Sequence, residues 1–340
     1  MLFRERKIST PNGILKSPNM FPVRNIGKKN KDNTPSYESI GNFNTALVNT
    51  NAIKNNDLIY SKLKEKSIHE LLDFNGIVFA DSGGFDLYKN PKKELKPYEI
   101  LEVQEKMKAD IYGTLDIPIH SDKTLKQKIG HLNKNIEYAI CMSKQKKSNS
   151  LLFASIHGKK PSTIRNSIKY LDKKGEFDGY ALGGLVPIRN NYSKIIELIL
   201  AARNTTQKPL HIYGLGGYLF TLILMYIGAD TFDSSSFIRT GSYREYYLPG
   251  HKGIQIKEFS TLDRPPCSCP ICSKHSLNQI RDNRDLITQH NLYALDVEIK
   301  KFKAIAQSNK DIEEYLESRL NGCRSTYRAF KIAKKKIRRL

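Results

Sequence analysis

The sequence predicts an α/β fold, namely a (β/α)8 TIM barrel with a small metal-binding subdomain near the C-terminus. Three observations support this prediction. Short apolar or β-branched segments alternate with longer segments of helical periodicity, eight such strands can be counted, and a cluster of cysteines follows the last of them. The length of 340 residues is sufficient for one barrel with such an addition.

The predicted strands carry the apolar runs expected of a parallel sheet buried on both faces. They cover residues 20–26, 45–50, 76–82, 110–116, 150–158, 177–184, 209–216 and 231–236. Helical periodicity, with apolar residues three or four positions apart, is found at residues 61–74, 97–109, 123–145, 161–174, 192–204 and 217–229. The first two connections are less regular, so a doubly wound open sheet remains an alternative.

We predict two regions along the chain. Residues 1–255 form the catalytic barrel, and residues 256–340 form a zinc-binding and C-terminal helical segment packed on it.

The charge of the chain indicates a polyanionic partner. Lys and Arg total 56 against 34 for Asp and Glu, which gives a formal charge of +22. The start of the chain, "MLFRERK", lacks the apolar core of a signal peptide, and the apolar segment 218–229 is too short to span a bilayer. We therefore expect a cytoplasmic protein with no membrane partner.

Several predicted strands end in residues capable of chemistry. A single Asp at a strand end is usually a turn residue or a helix cap, but barrel enzymes collect such residues at the carboxyl ends of their strands. Carboxylates that share a partly desolvated pocket have different pKa values, so that one can act as a nucleophile while another transfers protons. These residues are Asp81, Asp116, His157, Gly183, Gly184 and Asp233.

The cysteine cluster "CSCPIC" predicts a metal site. Cys267, Cys269 and Cys272 offer three thiolates, and His290 supplies a fourth ligand, with His275 as its competitor. A closed Cys3His sphere is typical of structural Zn²⁺, one ion per chain, and the use of cysteine for metal binding indicates a reducing compartment.

Five ordered motifs together resemble the guanine transglycosylase superfamily, whose best-known members exchange guanine for a 7-deazaguanine base in tRNA. The motifs are "GILKSPNMFPV" from residue 13, "DSGGF" from residue 81, "FDGYALGGL" from residue 177, "GADTFDSSSFIR" from residue 228, and "CSCPIC" with "HNL". The resemblance extends over most of the chain.

The resemblance implies a role for each matching residue. Asp233 would attack C1′ of the target nucleotide, and Asp81 would be the general acid/base, in a retaining exchange with a free 7-deazaguanine base as the incoming group. Asp116 would bind the edge of the base and Phe85 would stack on its face. The remaining substrate contacts would involve Ser82, His157, Gly183, Gly184, Leu185, Tyr213 and Gly214. Position in the chain, rather than the resemblance, suggests nucleic-acid contacts for Arg239, six residues past Asp233, and for Lys159 and Lys160, just beyond the fifth strand. The alternatives are a structural salt bridge for Arg239 and merely solvated lysines for the pair. Homodimers are common in the family.

Departures from the family pattern concern the polynucleotide. Asp86 and His157 stand where the tRNA enzymes have Gln, and the spacing from Cys272 to His290 is shorter. These differences favour the branch that inserts 7-deazaguanines into DNA, with a tRNA enzyme as the alternative. A non-catalytic nucleic-acid-binding subunit and a metal-dependent barrel hydrolase are more distant alternatives.

Overall fold

The computed structural model describes residues 1–26, 43–89, 94–119, 123–248, 253–259, 262, 264–308 and 310–340. An antiparallel hairpin, β1 (Arg6–Thr10) and β2 (Gly13–Ser17), comes first. Eight strands of one sheet follow, and all of them lie within or overlap the predicted segments. They are β3 (Asn19–Pro22), β4 (Thr45–Asn49), β5 (Ile77–Asp81), β6 (Ile111–Gly113), β7 (Leu151–Ile156), β8 (Gly179–Leu182), β9 (Leu210–Ile212) and β10 (Thr231–Ser234).

The sheet is parallel and nearly closed into a barrel. Its strand order is β3-β10-β9-β8-β7-β6-β5-β4, so that β3 and β4 are the two ends. These ends are joined by a parallel bridge between Val23 and Leu47, and the amide of Arg24 donates to the carbonyl of Leu47 at 2.8 Å. The barrel prediction is confirmed, and the open-sheet alternative is not.

The side chains inside the barrel follow the two-residue period of its strands. Phe21, Leu47, Phe79, Phe153 and Ala181 share one interior cluster. Because successive side chains alternate between the two faces of a strand, residues two positions beyond these also face the interior, nearer the carboxyl ends. Such positions include those of Asp81 and Gly183.

The N-terminal hairpin contributes to the same interior. Ile8 of β1 and Leu15 of β2 belong to the interior cluster, and the cis peptide bond between Ser17 and Pro18 leads directly into β3. The hairpin thus covers the amino-terminal end of the barrel and leaves the carboxyl end for ligands.

Helices surround the sheet and pack on it through a large outer core. They are α1 (Thr50–Lys54), α2 (Asp57–Lys62), α3 (Ile68–Leu72), α4 (Asp86–Lys89), α5 (Pro97–Met107), α6 (Leu125–Gln145), α7 (Pro161–Lys174), α8 (Tyr192–Arg203), α9 (Phe220–Tyr226) and α10 (Ser236–Ser242). The helical periodicity of residues 61–74 is divided between α2 and α3, because Ser67 and Glu70 form a capping box that starts a new helix.

Beyond α10, the residues that the structure describes add a second hairpin and four helices. They are β11 (Glu245–Tyr247), β12 (Gly253–Gln255), α11 (Leu277–Asp282), α12 (Arg284–Gln307), α13 (Ile312–Leu320) and α14 (Arg324–Ile337). Phe330 of α14 packs edge to face on Tyr226 of α9, with ring centroids 5.3 Å apart. The division after residue 255 stays a prediction.

Within the described ranges, no helix combines the length and the apolar composition that a membrane span requires.

Candidate active site and metal centre

Asp81 is the last residue of β5, at the carboxyl end of the barrel. Its Oδ2 accepts a hydrogen bond of 3.2 Å from the amide of Gly83, whose φ of 83° is in the left-handed region. Burial raises the pKa of Asp81 to about 8, and the negative charges of Asp116 and Asp233 add to the effect. Asp81 is therefore mostly protonated at pH 7 and can donate a proton.

Asp116 follows β6 and is buried beside Asp81. Its Oδ2 accepts from Nε2 of His157 at 2.7 Å, and its Oδ1 accepts from the hydroxyl of Ser82 at 3.2 Å. Gly84 lies so close that a Cβ there would be 2.2 Å from the Asp116 carbonyl oxygen. Both carboxylate oxygens thus have fixed partners, which hold the side chain in one orientation.

His157 follows β7 and lies against the glycine pair that follows β8. A Cβ on Gly183 would stand 2.8 Å from Nε2 of His157, and Gly184 has a φ of 73°. The absence of side chains at these two positions leaves space for the imidazole and for a flat ligand near the backbone.

Asp233 lies in β10 with its Oδ1 held by two donors. The amide of Gly214 donates at 2.7 Å, and Nε2 of the fully buried His211 lies at 3.4 Å. Nδ1 of His211 is 2.9 Å from the hydroxyl of Thr231, its neighbour in the sheet register. Oδ2 of Asp233 has no hydrogen-bond partner among the described residues, so this oxygen is free to react.

The three carboxyl groups converge although Asp81 and Asp233 are far apart in sequence. The charges of Asp116 and Asp233 both act on Asp81, and all three act on Tyr213, whose pKa burial raises well above 10.0. This convergence is what the strand-end argument predicts, because the carboxyl ends of parallel strands meet at one face.

Other predicted contact residues lie at or near the same face. Phe85 is 48% exposed, which leaves its ring accessible to a ligand, whereas Leu185 turns its side chain into the core. Lys159 and Lys160 are exposed beyond β7, and Arg239 is exposed on α10. Their contacts with substrate remain predictions.

The predicted metal ligands form a compact cluster beside the second hairpin, β11 and β12. The ligand atoms of Cys267, Cys269, Cys272 and His290 all lie within 4.8 Å of one another. Nδ1 of His290 is 3.4 Å from Sγ of Cys269 and 3.3 Å from Sγ of Cys272. Typical Zn–S and Zn–N bond lengths at tetrahedral angles give an S to N distance of about 3.5 Å.

The surroundings of His290 also fit a metal ligand. Its Nε2–H donates to the carbonyl of Tyr247 at 2.8 Å, which leaves Nδ1 as the ligand atom. The Tyr246 ring stacks on the imidazole with centroids 3.6 Å apart, and its hydroxyl is 3.0 Å from Sγ of Cys272. The cluster fits a structural zinc ion with all four positions filled by protein, and His290 rather than His275 is the fourth ligand in it.

His211 is a site residue that the sequence argument missed. It lies in β9, two positions before Tyr213, which directly follows the strand, so the two-residue period places both side chains on the interior face. Its position opposite Thr231 depends on the register with β10, which the sequence does not state.

Comparisons with known proteins agree with the resemblance. The family model described as queuine tRNA-ribosyltransferase matches residues 3–324. The tRNA-guanine(15) transglycosylase of Methanococcus aeolicus is 28% identical over 321 residues, which are 89% of this chain and 48% of that protein. Proteins of the same name from Methanosarcina mazei and Methanosarcina barkeri are 28% and 29% identical, over 90% of this chain and 63% of theirs. The chain thus spans between about half and two thirds of the length of these curated relatives.

Proposed function

The chain belongs to the queuine tRNA-ribosyltransferase family, and from this premise we propose that it is a glycosyltransferase that exchanges guanine for a 7-deazaguanine base in tRNA. The observation that carries the proposal is the convergence of two carboxyl groups: Asp81, whose pKa is raised by burial and by the charges of Asp116 and Asp233, and Asp233, whose Oδ2 has no hydrogen-bond partner among the described residues. Retaining glycosyl transfer needs this combination of an acid and a nucleophile.

In the first step, Oδ2 of Asp233 attacks C1′ of the target nucleotide. The C1′–N9 bond breaks, and the electron pair moves to the departing guanine, which takes the proton of Asp81. Gly214 and His211 keep Oδ1 of Asp233 in place during the attack. The product is an ester between Asp233 and the sugar.

In the second step, N9 of the incoming base attacks C1′ from the face that guanine left. Asp81 takes the N9 proton of this base, the ester bond breaks, and Asp233 is free again. Two inversions at C1′ give net retention. The target nucleotide must first be extruded from its stack to reach Asp233.

Asp116 is well placed to recognise the base. Its carboxylate, fixed by His157 and Ser82, can accept hydrogen bonds from the N–H groups of a guanine-type ring. Phe85 would stack on the ring, while the backbone at Gly183, Gly184, Leu185 and Gly214 and the side chain of Tyr213 would line the slot. Zn²⁺ at the Cys3His cluster would fasten the cysteine segment 267–272 to α12 without taking part in the reaction.

The relatives indicate which polynucleotide is the substrate. Their names specify tRNA, which favours tRNA over the DNA substrate that Asp86 and His157 indicate from sequence. In the structure, Asp86 accepts a hydrogen bond of 2.7 Å from Asn51, and His157 binds Asp116. These contacts concern the base pocket and do not distinguish RNA from DNA. A homodimer stays a prediction.

Incorporation of labelled guanine tests the proposal. Purified protein is incubated with radiolabelled guanine and either unmodified tRNA or duplex DNA, and acid-precipitable label is counted. We expect label in tRNA with the wild type and none with Asp233→Ala. Label in DNA alone would identify DNA rather than tRNA as the substrate. Label in neither polynucleotide would refute the proposed exchange.

The covalent step has its own readout. Wild-type protein and tRNA without an incoming base should form an adduct that survives denaturing electrophoresis, and Asp233→Ala should not. Circular dichroism of both proteins confirms that the variant is folded. An adduct of equal yield in the variant would show that Asp233 is not the nucleophile.

A further inference from the structure

Two adjoining cavities lie near Asp233 at the carboxyl end of the barrel, and the first is lined by Ser234, its neighbour in the chain, and by Gly214, whose amide donates to Asp233. The first, of about 250 Å³, is lined by residues 214–217 and 234–236 together with Arg189 and Arg239. The second, of about 1070 Å³, lies between the loop after β8 and the first turns of α14. Asn190 and Tyr192 line both, so the two spaces are neighbours.

The lining of these cavities is positively charged. It includes Arg189 and Arg239 in the first cavity and Arg324 and Arg328 in the second, and no carboxylate occurs among the lining residues that the structure describes. All four arginines are exposed. A surface of this kind attracts a polyanion.

Arg324 and Arg328 differ from the other cations of the same helix. Lys331 and Lys334 of α14 pair with Glu317 at 2.9 and 3.0 Å. The guanidinium groups of Arg324 and Arg328 form no hydrogen bond or ion pair with any residue in the described ranges. Lys331 and Lys334 have structural partners, whereas Arg324 and Arg328 are directed to the cavity.

The position of Arg324 also argues against a role in helix stability. It occupies the first turn of α14, where the helix dipole disfavours a cation. Arg328 lies one turn later on the same face. Two cations at this end of a helix, neither paired with a described residue, suit a ligand that carries the compensating negative charge.

We propose that the tRNA strand flanking the target nucleotide leaves the active site through the first cavity and binds with its phosphates to Arg189, Arg324 and Arg328. The inference rests on the proposed function, since it concerns the strand whose nucleotide reaches Asp233. Arginine suits this contact because its guanidinium group binds phosphate oxygens in pairs.

A matched pair of double variants tests the strand path. Arg324→Ala with Arg328→Ala removes two cations from the cavity. As the control, Lys335→Ala with Arg339→Ala removes two exposed cations, also four residues apart, from the last turn of α14 and the turn that follows it. Binding of unfractionated tRNA is measured by fluorescence anisotropy at several salt concentrations. We expect the slope of log K against log salt to become less negative by about 2 for the cavity variant and to stay unchanged for the control.

Kinetics separates this inference from the proposed exchange. With the cavity variant, the KM for tRNA should rise about tenfold while kcat stays constant, because these arginines do not contact the reacting atoms. Equal salt slopes for the cavity variant and the wild type would overturn the strand path even if exchange is observed. If the cavity variant changed the salt slope of binding to duplex DNA but not to tRNA, tRNA would be overturned as the ligand of the cavity. Absence of exchange in the wild type contradicts the proposed function alone, since the binding measurement still decides the path.

Discussion

Nε2 of His157 donates a hydrogen bond to Oδ2 of Asp116 over 2.7 Å, and the pair is buried under the glycines that follow β8. The pair joins the ends of β6 and β7 at the point where we place the base. Its geometry depends on Gly183, since any side chain there would push the imidazole away.

Gly183→Ala should therefore disturb base recognition. The new Cβ would lie 2.8 Å from Cε1 and Nε2 of His157, so the ring must move and its bond to Asp116 must lengthen. We expect kcat/KM for guanine exchange to fall about 10- to 100-fold. Gly130→Ala in α6 is the control, because nothing lies within 4 Å of its Cβ position. Equal activity of the two variants would contradict the role of this contact.

The pH dependence of exchange should report Asp81. The pKa of its carboxyl group is raised to about 8, chiefly by burial, so the protonated form needed to release guanine is lost above that pH. We expect kcat/KM to decrease as the pH rises through about 8, and Asp81→Asn to be inactive. A profile that stays level to pH 10 would mean that Asp81 is not the acid.

Asp81→Asn should also stabilise the fold. The unfolded chain loses the Asp81 proton above pH 3.8, whereas the folded protein retains it up to about pH 8, so wild-type stability decreases with rising pH across this window. The variant removes this penalty, and its gain in unfolding free energy should grow from pH 4 to pH 8, reaching at most about 4 kcal/mol at pH 7. Urea denaturation at several pH values measures it, with Asp282→Asn at an exposed carboxylate as the control. A gain that is independent of pH would contradict the raised pKa.

His211 should matter for the chemical step. His211→Phe keeps an aromatic ring against Phe79, whose centroid is 4.7 Å away, but removes a donor to Oδ1 of Asp233. We expect kcat to fall about tenfold with little change in the KM for tRNA. A fall in thermal stability with unchanged kcat would indicate a structural role instead.

Loss of a cysteine ligand should release zinc. Cys269→Ser removes one of four ligands of a buried site, and the small core around Tyr246, Ile280 and Ile287 depends on it. We expect bound zinc, measured by atomic absorption, to drop from one ion per chain to nearly none, and the unfolding free energy to decrease by about 4 kcal/mol or more. Cys141→Ser, outside the cluster, should keep its zinc. Full zinc content in Cys269→Ser would show that the cluster is not the binding site.

The eight strands, the carboxyl residues at their ends and the three cysteines of the metal cluster follow from the sequence alone, which leaves His290 and His275 as candidates for the fourth ligand. These features are local: the alternation of apolar residues fixes each strand, and short motifs such as "DSGGF" and "CSCPIC" lie within a few residues. It also placed Asp81 and Asp233 at one face, since parallel strands that close into a barrel leave no other arrangement.

The tertiary structure alone decided how these residues affect one another. The pKa of Asp81 depends on burial and on two carboxylates that are distant in sequence, and the orientation of Asp233 depends on His211 in a neighbouring strand. Arg324 and Arg328 of α14 line a charged cavity only because the fold places this helix beside the loop after β8. Electrostatic fields and hydrogen bonds act through space between chain segments far apart in sequence, so no local pattern specifies them.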